Sequence, residues 1–190
     1  MPAPLDFDPI AEAGRQWRKR WGKGPVAPME AVTSVMRVQQ LLLARCNEAL
    51  QPFELTFARY EALMLLSFAR AGALPLGKIG ARLQVHPASV TNLIDGLERR
   101  GYVRRQPHPT DRRTMLAAIT DDGRRVAAGA TEVMHAIRFG TGALGRRELE
   151  QITALLREVR VAAGDFEDSA ASGPLAASET SGAGSENQDI

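Results

Sequence analysis

A mainly α-helical chain with one small β-wing is what this sequence predicts, and three observations predict it. Apolar residues recur at helical spacing in one segment after another. A two-turn helix, a three-residue connection and a second helix opened by Pro87 run from Leu76 to about Arg100. An arginine-rich hairpin with prolines near its tip follows at once, between Tyr102 and Ile119.

The elements follow in order. Asp8 to Gly22 reads as a short basic amphipathic helix, with Ile10, Ala13, Trp17 and Trp21 on one face and Arg15, Arg18, Lys19 and Arg20 around the rest. Gly22, Gly24, Pro25 and Pro28 break it. A longer helix over Met29–Leu50 carries Val32, Val35, Met36, Leu42, Leu43, Cys46 and Leu50 on one stripe, and Pro52 ends it. Thr56 suits the N-cap of a third helix that turns Tyr60, Leu63, Met64 and Phe68 to the core.

Leu76, Ile79 and Leu83 then mark the two-turn helix, and Gln84-Val85-His86 the connection. The second helix spaces Val90, Leu93, Ile94 and Leu97 at i, i+3, i+4 and i+7, and Gly101 is its C-cap. This is helix-turn-helix spacing. Tyr102–Arg105 and Thr114–Ile119 read as the strands of the wing, with Pro107 and Pro109 forbidding regular pairing at the tip. Thr120 caps a helix with Val126, Ala130, Val133 and Ile137 inward as far as Gly140-Thr141-Gly142. A last helix over Arg146–Ala162 places Leu149, Ile152, Leu156 and Val159 on one side.

Composition bounds the function. The chain of 190 residues is long enough for one domain with appendages, and 44% hydrophobic with 24% charged residues is ordinary for a globular protein. No run of about 18 apolar residues is present to span a bilayer, and the acidic, proline-broken start is unlike a secretory signal, so the expected location is cytoplasmic with no membrane partner. A single cysteine, Cys46, supports neither a disulfide nor a multi-thiolate zinc site. His86, His108 and His135 fall in a cap, the wing tip and a helix, without metal-ligand spacing. With no phosphate loop or nucleophile motif beside them, the expectation is a non-enzyme without cofactor.

The net charge of +2 hides a division. Glu167–Ile190 holds five acids and no bases, which leaves +7 on residues 1–166. This acidic stretch has too little apolar mass to offset its ordering entropy, so residues 167–190 read as a disordered tail. In the body, Arg99, Arg100, Arg104, Arg105, Arg112 and Arg113 fall within fifteen residues that contain one acid after Arg100, Asp111. Such density is the footprint of a phosphate-binding surface.

Double-stranded DNA is therefore the expected partner. The first turns of the second helix present Ala88, Ser89, Thr91 and Asn92 to base edges in a major groove, where asparagine pairs bidentately with adenine. Arg112 and Arg113 sit at the foot of the hairpin, where a guanidinium enters a narrow minor groove. Asp111 organises them, either by accepting their hydrogen bonds or by capping the turn. Arg104 and Arg105 meet phosphates, and His108 a phosphate or solvent.

The run from Leu83 to Val103, followed by Asp111-Arg112-Arg113 and Thr120-Asp121-Asp122-Gly123, resembles the MarR family of bacterial transcriptional regulators over about Ala31 to Val161. The resemblance implies a winged helix-turn-helix fold with a helical dimerisation region, in a homodimer on a pseudopalindromic operator, from which a small effector or oxidation releases it. Residues 1–28 are then an N-terminal extension, 29–55 and 121–166 the helical dimerisation region, and 56–120 the DNA-binding lobe.

The extra helix is similar to that of the family's urate-responsive branch. That likeness implies an effector site built from Trp17 or Trp21, Glu61 and Arg105; Leu93 stands where that branch has an arginine, which points away from urate and toward another small anion. Two other readings stay open: a redox-sensing regulator acting through Cys46, and a winged helix used for protein contact.

Overall fold

The computed structural model describes residues 4–22, 24–111 and 113–167. Arg112 and the acidic tail beyond Glu167 lie outside the described residues. The chain divides into two compact units, Met1–Gly142 and Ala143–Ile190.

The first unit opens with α1, Pro9–Trp21. Asp8 caps it by accepting from the N–H groups of Ile10 and Ala11, and Gly22 ends it at φ +78°. Its packed face centres on Gly14, where a Cβ would collide with the Glu30 carboxylate, and Arg18 reaches the same Glu30 at 3.6 Å. Trp17 is half-buried. Trp21, expected on the packed face, is 65% exposed because it lies about 10 Å further along the axis, and its ring tilts against that of Trp17 at 4.8 Å.

Helix α2 spans Val26–Leu50. It begins before the expected Met29 because Pro28 falls in the first turn, where the missing N–H has no intrahelical acceptor. Cys46 and Leu50 are buried, but Val32, Val35 and Met36, expected on the same inward stripe, are exposed. Pro52 does not stop the chain abruptly; Gln51–Phe53 form a 3₁₀ turn that ends on Glu54 at φ +55°. Helix α3, Phe57–Phe68, starts as expected with the Thr56 hydroxyl accepting from Arg59 N–H. Tyr60, Ala62, Leu63 and Leu66 are buried, each large apolar side chain contributing about 1.5–3 kcal/mol. Phe68 was expected inward; as the last helical residue, just before the backbone turns extended at Ala69, it is 76% exposed.

A short strand that the sequence pattern did not suggest, β1 (Ala73–Pro75), leads into α4 (Leu76–Leu83) and α5 (Pro87–Glu98). Strands β2 (Val103–Pro107) and β3 (Met115–Ile119) form the wing. The sheet is antiparallel in the order β1-β3-β2, with Leu74 opposite Ala117 and Arg105 opposite Ala117 from the other side. Pro107 does join the ladder, opposite Met115, as the last residue of its strand.

Helix α6, Asp121–Ala136, is capped by Thr120, whose hydroxyl accepts from Gly123 N–H at 3.0 Å and donates to Gly101 carbonyl at 2.7 Å. Its buried face is Gly123, Ala127, Ala130 and Met134; Val126, Val133 and Ile137 are half-buried beside it. It stops short of the glycines in a turn where Arg138, Phe139 and Gly140 all have positive φ. One core joins α2, α3, α4, α5, the sheet and α6 through Leu50, Leu63, Leu66, Ile79, Ile94 and Met134.

The second unit contains α7, Arg146–Ala162, which leaves Ile152, Leu155, Leu156 and Val159 exposed along one stripe. Arg157 and Arg160 lie over the Phe166 ring at its end.

Candidate nucleic-acid interface

Helices α4 and α5 approach closely because Gly80 carries no side chain: a Cβ there would stand 3.0 Å from Val90. Gln84, at φ +52°, makes the turn. His86 caps α5, its Nδ1 accepting from Ala88 N–H at 3.2 Å, and Pro87 takes the first helical position. Val90, Ile94 and Leu97 anchor the helix in the core, which fixes the opposite face outward. Ala88, Ser89, Thr91 and Asn92 are all exposed there. Thr91 donates to the Pro87 carbonyl at 3.3 Å and keeps its acceptor positions and methyl group outward. The structure thus brings together the four residues expected to face bases.

The wing is ordered by its own turn. Asp111 caps it, accepting from Arg113 N–H at 3.0 Å and from the Thr114 hydroxyl at 2.6 Å. These two hydrogen bonds, that from Thr114 the stronger, hold its carboxyl below the usual carboxylate range. Of the two roles open to Asp111, turn capping is the one adopted. His108, expected at a phosphate or solvent, has an internal task instead: its Nδ1 accepts from the N–H groups of Thr110 and Asp111 at 3.3 Å. Arg104 and Arg113 are exposed beside it, and Arg112 lies outside the described residues.

Arg105 departs most from expectation. Its side chain is turned back onto α5, where it pairs with Asp95 and Glu98, each at 2.5 Å, while its N–H donates to Glu98 at 2.9 Å. A guanidinium held by two carboxylates is not free for a phosphate. Sequence reasoning did not connect the three residues, although an i, i+3 pair of acids on the recognition helix beside an arginine-rich strand was a visible signal.

A cavity of about 620 Å³ opens between α3, α4 and α6. Tyr60, Glu61 and Phe68 line it from α3, Arg82 from α4, and Thr131 and His135 from α6. The Tyr60 and Thr131 hydroxyls meet across it at 3.0 Å. Burial pushes the Glu61 carboxyl above its ordinary range. An acid raised in the fold contributes stability that is present below its unfolded value and lost as pH rises through its folded value. Glu61→Gln should therefore melt above the wild type near pH 7 and converge with it near pH 4, as differential scanning calorimetry across that range would show.

The sequence profile of the MarR family matches residues 55–115, which are α3 to the start of β3. Sco5413, a MarR family transcriptional regulator from Streptomyces coelicolor, superposes with a TM-score of 0.69 and 52% identity, covering 75% of this chain and 99% of that one. The chain belongs to the MarR family. It is accordingly a DNA-binding regulator of the winged helix-turn-helix class. The uncharacterized HTH-type regulator YhbI of Bacillus subtilis is 31% identical over 106 residues, which are 56% of this chain and 66% of that protein. CouR from Rhodococcus jostii RHA1, solved bound to p-coumaroyl-CoA, matches at 28% identity and a TM-score of 0.58 over 66% of this chain and 87% of its own.

The effector residues implied by the urate-responsive branch are not gathered within the protomer. Glu61 lines the cavity described above, whereas Trp17 and Trp21 lie on α1 outside its lining and Arg105 is engaged by Asp95 and Glu98. Leu93, at the departing position, is half-buried on α5. Arg82 and His135, which no motif singled out, are the cations that do share the cavity with Glu61. The thiol of Cys46 is buried and directed at the Phe139 carbonyl, 3.8 Å away. Burial first, and the charge of Glu61 second, push it above the usual thiol range, opposite to the lowered pKa of a reactive thiolate. No described helix is long and apolar enough to cross a membrane.

Proposed function

We propose that this MarR family member is a homodimeric repressor that reads a pseudopalindromic operator and is released from it by a small anionic effector. One observation carries the DNA reading: the polar face Ala88–Asn92 stands exposed on a helix anchored by Val90, Ile94 and Leu97, with the Asp111-capped wing following it. The residues assigned to DNA are Ala88, Ser89, Thr91 and Asn92 for base edges, Arg112 for the minor groove, Arg113 and Arg104 for phosphates, and Asp111 as organiser. The dimer reading rests on two uncovered apolar stripes, Val32, Val35, Met36 and Leu41 on α2 and Ile152, Leu155, Leu156 and Val159 on α7, which a monomer would leave in water.

The effector reading rests on the cavity at Glu61. Its size suits a small molecule, its aromatic walls suit a flat apolar body, and Arg82 with His135 suits an anionic end. Arg82 belongs to the first helix of the helix-turn-helix pair, so a ligand that pulls on it acts on α4 and through it on α5. CouR holds p-coumaroyl-CoA, and an aromatic anion of related chemistry is the class assigned here.

A thermal-shift panel of aromatic carboxylates and acyl-CoA thioesters, followed by DNA release measured by anisotropy, tests this reading. The expected result is a ligand that raises the melting temperature and releases DNA from the wild type but not from Arg82→Gln, which still binds DNA. A panel that neither shifts melting nor releases DNA, or a ligand equally effective on Arg82→Gln, removes the cavity from the account.

A further inference from the structure

Beside the recognition helix lies a second cavity, of about 540 Å³, lined by Arg59 of α3 and by Asn92, Asp95, Glu98 and Arg99 of α5. It holds guanidinium groups from two elements and is continuous with the base-reading face, since Asn92 belongs to both. The carboxylates on its wall are occupied. Asp95 and Glu98 each hold Arg105 at 2.5 Å, so their charge is directed at the wing strand. Arg59 has no carboxylate within ion-pair distance among the described residues, and Arg99 spends only its Nε, on the Asp95 carbonyl at 3.3 Å.

The seat of Arg59 is built into the helix. Its guanidinium lies over Gly96, where a Cβ would come within 2.6 Å of Nε and 2.8 Å of Cζ. Only glycine leaves that space, at the cost of a weaker helix interior. Partial burial, then the charges of Arg100 and Arg99, lower the Arg59 pKa from its ordinary value, so the cation is crowded by like charges that a bound anion would relieve.

We propose that Arg59 and Arg99 form a phosphate site that grips a backbone phosphodiester of duplex DNA next to the bases read by Asn92. A guanidinium offers a planar fork of donors to phosphate oxygens, and two of them with the Asn92 carboxamide match a tetrahedral anion. The contact carries no sequence information; it fixes the register of α5 in the groove. The DNA interface then extends from the recognition helix and wing onto the first turn of α3. Arg105 is a positioning residue in this arrangement, because it keeps Asp95 and Glu98 from repelling the phosphate.

This inference rests on the DNA reading above, and the test separates the two. The affinity of the full chain for a mixed-sequence duplex of roughly thirty base pairs is followed by fluorescence anisotropy over a potassium chloride series, each lost phosphate contact lowering the log–log slope by about 0.9. Arg59→Gln should lose one contact, and Arg59→Lys should restore most of the slope. Gly96→Ala should behave like Arg59→Gln although it removes no charge, because the new methyl unseats the guanidinium; alanine being the stronger helix former, this variant stays decisive if Arg59→Gln folds poorly.

Wild-type slopes in both Arg59→Gln and Gly96→Ala overturn the site. So does a wild-type slope in Gly96→Ala alone, which would leave Arg59 acting only as a diffuse charge. Melting in inorganic phosphate against chloride at matched ionic strength supplies the other arm. Stabilisation by phosphate that depends on Arg59, with DNA slopes unchanged, assigns the site to a free anion and overturns the DNA contact. A wild type that binds no duplex at low salt removes the DNA reading itself.

Discussion

Gly123→Ala should destabilise the chain by about 3 kcal/mol, lowering its melting temperature by roughly 10 °C. Gly123 is the third residue of α6, and a Cβ placed on it would lie 2.1 Å from the Tyr102 carbonyl oxygen and 2.9 Å from the Ile119 side chain. The obstacle is backbone, which cannot rotate aside as a long side chain does. Tyr102 carbonyl also accepts from Thr120 N–H at 3.0 Å, and the Thr120 hydroxyl ties Gly101 to the start of α6. Moving the helix to admit a methyl group breaks this junction between the end of α5, the first wing strand and α6. Thr120→Ala, which removes only the cap, should cost about 1 kcal/mol. Calorimetric melting of both variants checks the ranking; a Gly123→Ala protein melting at or above Thr120→Ala would show that the junction yields more easily than its geometry implies.

The largest functional effect is expected at Asn92. Removing its carboxamide with Asn92→Ala should weaken binding to the preferred sequence by about 1–3 kcal/mol, a loss of up to about 150-fold. Affinity for mixed-sequence DNA should fall far less, because that binding comes from the phosphate contacts. The same asymmetry, smaller in size, is expected at Ser89 and Thr91, whose side chains are equally exposed on the first turns of α5. Arg113→Ala and Arg104→Ala should show the reverse pattern, weakening all sequences together. Equal losses on preferred and mixed DNA for Asn92→Ala would remove it from the base-reading set.

Most of the DNA-binding lobe could be read before any coordinate. Leu76–Leu83, the turn, and a helix opening at Pro87 stand as the spacing predicted, because Ile79, Val90, Ile94 and Leu97 each bury at helical intervals and Gly101 ends the helix at φ +73°. Thr56 and Thr120 were legible as caps because their hydroxyls act within three residues. What escaped depended on partners far along the chain. Strand β1 has no alternation of its own and exists because Ala73–Pro75 meets Leu116–Ala118 of β3. Arg105 reads as one more basic wing residue until α5 sets Asp95 and Glu98 beside it.

The apolar stripe of α2 was recognised as a stripe. Its periodicity cannot say whether the covering surface belongs to the same protomer, and within this one Val32, Val35 and Met36 stay exposed. For the effector, Glu61 was legible through resemblance alone, while Arg82 and His135 reach the same cavity from helices on either side in the sequence. No local motif records such a convergence.

The account stands on α5 and the wing reading one duplex sequence, and selection of bound duplexes from a random pool tests this most directly. The expected product is an enriched sequence of two inverted half-sites about one helical turn apart, or a multiple of it, as a two-fold dimer requires. Enrichment should disappear when Ser89, Thr91 and Asn92 are replaced together by alanine, while salt-sensitive binding to mixed DNA persists. No enrichment from the wild type, or the same enriched sequence from the triple variant, would contradict it.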